Sequence, residues 1–87
     1  MGAWPAPVVR LFLGEATPAA VLSAADHADP IKKKGQVCEA NFFSAEYALL
    51  QNKKDEALRL FRLAASDCPP IFLEARAAKA ALARIAK

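Results

Sequence analysis

The sequence predicts an all-α fold of about five helices arranged as antiparallel hairpins, and three observations support this. Apolar residues recur every three or four positions over long stretches, which is the spacing of a helix with one buried face. Hydrophobic residues make up 55% of the 87 residues, and runs that favour strands are few. Proline, glycine and asparagine separate the periodic stretches, and the short connections that they form place consecutive helices antiparallel.

A first helical hairpin is predicted at residues 4–28. Trp4-Pro5-Ala6-Pro7 leads into the apolar stretch Val8 to Leu13, which ends at Gly14. Thr17 followed by Pro18 is a typical N-cap and first-turn pair, and it predicts the start of a second helix. This hairpin is either an N-terminal cap or the remnant of a longer array, and the sequence leaves both open. Residues 29–35, which include three lysines and a glycine, are predicted to form a polar, mobile linker.

A central hairpin is predicted at residues 36–68. Its two apolar stripes are separated by Gln51-Asn52-Lys53, and asparagine tolerates the left-handed conformation that often ends a helix. Close helix packing is expected at a set of small residues with one large side chain between them. This packing set is Ala45, Ala57, Ala64 and Phe61.

A last helix is predicted at residues 70–87. Pro69 and Pro70 should stop the preceding helix and start this one, because proline suits only the first turn of a helix. Its stripe consists of Ile71, Ala75, Ala78, Leu82 and Ile85. It aligns with the first half of the central hairpin after a shift of 35 residues, so we expect it to cap the stack.

The central hairpin resembles the tetratricopeptide repeat, a unit of about 34 residues whose helical pairs stack into a superhelix. Ala45, Ala57, Phe61, Ala64 and Pro69 stand at the family's small, small, aromatic, small and proline positions. Asn41 and Ser44 stand where the family carries a large apolar residue and a leucine. The resemblance implies one tetratricopeptide-like domain over residues 1–87, arranged as a right-handed superhelical stack.

A second resemblance covers nearly the whole chain. Trp4-Pro5, Leu13-Gly14, the segment Asn41-Phe42-Phe43-Ser44-Ala45 and the segment Phe72-Leu73-Glu74-Ala75-Arg76 follow one another as in the C-terminal part of bacterial NlpI-type tetratricopeptide lipoproteins. This resemblance implies a cell-envelope adaptor that docks proteases or peptidoglycan hydrolases, and it carries no enzymatic activity. It suggests the periplasm or cell envelope, although residues 1–13 do not resemble a secretory signal.

A partner-binding surface is predicted by analogy with the repeat family, whose first helices line a concave face. The candidate residues are Glu39, Phe42, Glu46, Leu49, Glu74 and Arg76. A phenylalanine flanked by carboxylates would accept an apolar anchor and a basic group from a protein or peptide. The alternative is that Phe42 belongs to the core and the acids are merely solvated. A further alternative is a self-association module, in which two copies cover an apolar face as a homodimer.

Other function classes find little support in the sequence. No nucleophile has a base nearby and no phosphate-binding loop occurs, so we expect no enzyme and no cofactor. A net charge of +3 with both signs interspersed does not predict nucleic-acid binding, and Lys32-Lys33-Lys34 stands without aromatic neighbours. No apolar run approaches the length of about 20 residues that spans a bilayer, so no membrane contact is expected.

The two cysteines lie at the open end of the predicted central hairpin. Cys38 and Cys68 are about equally far from the turn near Asn52, so antiparallel helices bring them to the same level. They either form a disulfide, which would suit an oxidising compartment, or remain two buried thiols. Two cysteines and a distant histidine do not complete a tetrahedral zinc site, so no metal is expected.

Overall fold

A computed structural model describes residues 3–85 and contains five α-helices. They are α1 (Ala6–Phe12), α2 (Pro18–Ala24), α3 (Pro30–Leu50), α4 (Lys54–Asp67) and α5 (Leu73–Ile85). No strand occurs within residues 3–85. The predicted all-α class is therefore confirmed, and so is the number of helices.

Helices α1 and α2 form a short hairpin because the chain between them carries a stop and a start signal. Gly14 adopts a φ of 77°, a left-handed conformation that suits glycine and ends α1. The Thr17 hydroxyl then accepts a hydrogen bond from the Ala20 backbone N–H at 3.1 Å and caps α2. Leu11 and Val21 are fully buried where this hairpin packs against α3.

The predicted linker at residues 29–35 is wrong, because this segment forms the cap and first turns of helix α3. The Asp29 carboxylate accepts hydrogen bonds from the backbone N–H groups of Ile31 at 2.9 Å and Lys32 at 3.4 Å. Pro30 occupies the first turn, where its missing N–H costs nothing. Gly35 is buried inside the helix, and a Cβ atom there would lie 3.3 Å from the Phe72 ring. Gly35 therefore provides room for a neighbour and does not provide flexibility.

Helices α3 and α4 form the central hairpin around a turn in which Asn52 has a φ of 60°. At the other end, Cys38 and Cys68 are joined by a disulfide, with Cα atoms 4.8 Å apart. Because Cys38 lies in the first half of α3 and Cys68 directly follows α4, the two helices run antiparallel. Phe61 is completely buried between them. The core around it is built of small residues, which include Ala45, Ala57 and Ala64, all without exposed surface.

Helix α5 starts at Leu73, three residues later than the predicted start at residue 70. Half-buried Pro69 lies in the preceding turn, and its carbonyl accepts a hydrogen bond from the Phe72 N–H at 2.9 Å. This turn leaves Ile71 91% exposed, so its predicted place in the buried stripe is wrong, and half-buried Phe72 packs inward instead. Ala75, Ala78 and Ala81 bury the inner face of the helix. Residues 86 and 87 of the predicted helix lie outside the described residues.

The core consists of two clusters that aromatic rings connect. One cluster joins α3, α4 and α5, and the other joins α1 and α2 to Ala40 of α3. Phe42 makes edge-to-face contacts with Phe61 at 5.8 Å and with Phe43 at 5.3 Å between ring centroids. Phe43 in turn contacts Phe12 of α1 at 6.4 Å between ring centroids.

None of the helices within residues 3–85 combines the length and the apolar character that crossing a membrane requires.

Candidate functional site

A small recess opens between helices α3 and α5, and it brings together several of the predicted binding residues. Its volume is about 160 Å³, and it is lined by Phe42, Phe43, Leu73, Glu74 and Ala77. A cavity of about 150 Å³ is known to accommodate a benzene ring. The recess therefore has room for one aliphatic or aromatic side chain. We call this recess together with the adjoining Glu39 the α3–α5 groove.

Helical periodicity explains why these residues share one surface. Glu39 precedes Phe42 and Phe43 by three and four residues, so all three lie on one side of α3. Leu73 and Ala77 are likewise four residues apart on α5. Leu73 is 74% exposed although it is large and apolar, and the two phenylalanines are only half-buried. The groove thus exposes apolar surface that the fold itself does not cover.

Glu39 is the most perturbed carboxylate of the groove. Partial burial raises its pKa above the ordinary value of 4.5, and the neighbouring negative charge of Glu74 raises it further. A hydrogen bond from the Trp4 indole N–H to Glu39 Oε1 at 3.4 Å acts in the opposite direction. The effect of desolvation is larger than that of the hydrogen bond, so the folded protein disfavours the ionised form of Glu39.

The structure distributes the six predicted binding residues over three environments. Glu39, Phe42 and Glu74 meet at the groove. Glu46, four residues after Phe42 on α3, is half-buried, and Leu49 packs against the core. Arg76 is exposed and does not line the recess.

Sequence reasoning missed Phe43, Leu73 and Ala77, which also line the recess. Phe43 could have been found, because it is one helical turn after Glu39 and adjoins Phe42. Leu73 and Ala77 could not be placed, because their position depends on the late start of α5.

The groove can bind a ligand by two complementary contacts. The recess offers dispersion and hydrophobic contact to an apolar side chain. Two neighbouring carboxylates at its edge repel each other, and a cation between them would relieve that repulsion. Within residues 3–85 no group of three or more histidine, cysteine or acidic side chains is arranged to hold a metal ion. The carboxylates and the apolar recess together fit an organic cation that carries an apolar part.

Comparison of the chain with protein-family models, with curated proteins and with solved structures finds no match.

Proposed function

We propose that the chain is a non-enzymatic protein–protein interaction module that binds a protein or peptide segment in the α3–α5 groove. One observation carries this proposal: an apolar recess of side-chain size lies beside two carboxylates on the exposed face of a closely packed helical domain. Such a surface fits a segment that carries an apolar residue next to a basic one. The complementary charge favours the encounter and selects against acidic segments.

We also propose the finer architecture that the resemblance implies, a tetratricopeptide-like stack of hairpins. The order of the packing supports it, since α1 packs on α2, α3 on α4, and α5 on α4. The same resemblance leads us to propose that the chain acts as an adaptor that docks envelope proteases or hydrolases. The disulfide between Cys38 and Cys68 supports an oxidising compartment, where such bonds persist.

A random peptide library displayed on phage and selected on the immobilised protein tests the interaction. We expect enriched peptides to pair an apolar with a basic residue. Glu74→Lys should remove the enrichment of basic residues, and Ala77→Leu should fill the recess and remove the enrichment of apolar residues. Asp55→Lys makes the same charge change on the exposed start of α4 and should leave the selection unchanged. Identical enrichment by the two groove variants and wild type would contradict the proposal.

The second candidate function is self-association, and the outer face of α1 favours it. Val9 is 57% exposed and Leu13 is 65% exposed, while Phe12 between them is 40% exposed. A pair of these faces would remove apolar surface from water in a symmetric dimer. Sedimentation equilibrium tests this: Leu13→Glu should convert a dimer into a monomer. A wild-type protein that stays monomeric at millimolar concentration would exclude it.

A further inference from the structure

A second cavity lies on the opposite side of helix α3, between helices α2 and α4. Its volume is about 380 Å³, within the range of about 300–1,000 Å³ typical of small-molecule sites. Leu22 of α2 and Leu60 and Leu63 of α4 contribute apolar walls, and Asn41 and Ser44 of α3 lie at its base. We call this cavity the α2–α4 cleft. It shares no lining residue with the α3–α5 groove.

The polar residues at the base of the cleft are its most informative feature. Asn41 is only 5% exposed and Ser44 only 2%, and they are the only buried polar side chains among residues 3–85. The hydrogen bonds between described residues include none to the Asn41 amide or the Ser44 hydroxyl. No fully enclosed side-chain nitrogen or oxygen lacks a partner, so the two groups reach the open space of the cleft.

The Asn41 amide and the Ser44 hydroxyl open onto the cleft and have no protein partner, whereas apolar side chains at these two positions would pack without needing one. The cleft therefore holds hydrogen-bonding capacity that packing does not require. The asparagine amide offers two N–H donors and a carbonyl acceptor, and the serine hydroxyl can donate and accept. Asn41 and Ser44 are both neutral, and together they match a ligand group that both donates and accepts hydrogen bonds.

The two charged residues at the rim of the cleft give it no strong preference for a charged ligand. Glu56 and Arg59 both line it, and they are joined to each other by two hydrogen bonds, one of them from Arg59 Nε to Glu56 Oε2 at 3.2 Å. This pairing lowers the pKa of Glu56 and raises that of Arg59, so both stay ionised and neutralise each other. A neutral ligand can therefore enter the cleft without disturbing the ion pair between Glu56 and Arg59.

We propose that the α2–α4 cleft binds a small neutral molecule with a carboxamide group on an apolar stem. The carboxamide hydrogen-bonds to Asn41 and Ser44, and the stem packs against Leu22, Leu60 and Leu63. The proposal is independent of the α3–α5 groove, because neither set of side chains belongs to the other site.

Titration of the ¹⁵N-labelled protein with hexanamide, followed by NMR, tests this assignment. A ligand of about eight heavy atoms should bind with a Kd of about 1 mM. We expect backbone shifts at Leu22, Asn41, Ser44 and Leu60. Hexanoate and hexylammonium, which keep the six-carbon chain and carry a charge, should bind about ten-fold more weakly.

Variants separate the polar contact from the fold. Ser44→Ala and Asn41→Leu should each weaken hexanamide binding about ten-fold and abolish the preference over hexanoate. Asn41→Leu should at the same time keep or raise the midpoint of urea unfolding, because an amide without a protein partner is replaced by an apolar group of similar size. Ser66→Ala, at an exposed serine of α4, is the matched control and should bind as wild type does.

Three outcomes would overturn the proposal. The first is the absence of shifts at the cleft with hexanamide at about ten times the expected Kd. The second is equal binding of the neutral and the charged probes, which would show contact with the stem alone. The third is tighter binding of the peptide acetyl-leucyl-glutamine amide than of hexanamide, which would assign the cleft to a polypeptide partner.

Discussion

Single residues control how closely the segments of this domain approach one another, and Gly35 is the clearest case. A Cβ at this position would stand 3.3 Å from two atoms of the Phe72 ring. Gly35→Val should therefore push the ring outward and lower the free energy of unfolding by about 1–3 kcal/mol, the usual cost of overpacking. Urea denaturation measures the loss. Ala80→Val on the exposed face of α5 reports the intrinsic cost of valine in a helix.

A double-mutant cycle identifies the cause of that loss. In a Phe72→Ala background the ring is gone, so the cost of Gly35→Val should shrink well below its value in the wild type. Additive losses would show that the valine acts elsewhere.

Glu39 shows a second residue-scale effect, because its pKa is raised in the folded protein. For an acid whose folded pKa is raised, the unfolded state releases the proton first, so stability falls as pH rises through the folded pKa. Glu39→Gln should therefore raise the free energy of unfolding at pH 7 and leave it unchanged below about pH 3, where the carboxyl is protonated in both states. Urea melts at the two pH values measure the difference.

Trp4, the only tryptophan, reports this titration directly because its indole N–H contacts Glu39. Its fluorescence should change with a midpoint above pH 4.5 in the wild type. The Glu39→Gln variant should lack this transition. A transition that persists in the variant would assign the signal to another group.

At the scale of elements, the disulfide determines whether the open end of the α3–α4 hairpin stays closed. It joins residues 30 positions apart, and a loop of that length corresponds to about 3–4 kcal/mol of chain entropy. Cys38→Ala should lower the free energy of unfolding by roughly that amount, measured in urea without reductant. Cys38→Ala with Cys68→Ala should cost little more than the single change, since the bond is already lost. Small, additive losses would instead indicate two free thiols.

Several elements could be predicted from local signals, and others depended on contacts that a sequence does not display. The Thr17-Pro18 start of α2 and the Asn52 turn follow from residue chemistry, and the structure confirms both. The sequence does not predict the start of α3, because lysines and a glycine are typical of loops. Asp29-Pro30 is nevertheless a cap and first-turn pair of the same kind as Thr17-Pro18.

The candidate site was predictable mainly on helix α3, and Glu74 is the one groove residue of α5 that the repeat analogy predicts. Glu39 and Phe42 follow from the periodicity of one helix, whereas Leu73 and Ala77 enter the groove through the tertiary position of α5. Phe72 lies in the turn before α5 and packs against the core, whereas the Pro69-Pro70 pair predicts a helix that starts at residue 70. The α2–α4 cleft likewise arises from three helices at once, although the two polar residues at its base already departed from the repeat pattern.

At the scale of the whole molecule, the two core clusters face each other across α3 and the aromatic contacts join them. Phe43 is central, because it packs against the cluster of α1 and α2 and also contacts Phe42, which packs on the other cluster. The helices on one side are held by the disulfide, whereas those on the other are only seven residues long each. The N-terminal hairpin should therefore be the first unit to open.

Phe43→Ala should make that opening easier without unfolding the rest. We expect the free energy of opening of α1 and α2 to fall by about 1–3 kcal/mol, because a half-buried ring is lost. Native-state hydrogen exchange should then show about 5- to 150-fold less protection in α1 and α2, with little change in α4 and α5. Tyr47→Phe keeps the ring beside Phe12 and should exchange as wild type does. Equal loss of protection in all five helices would mean that the two clusters unfold as one unit.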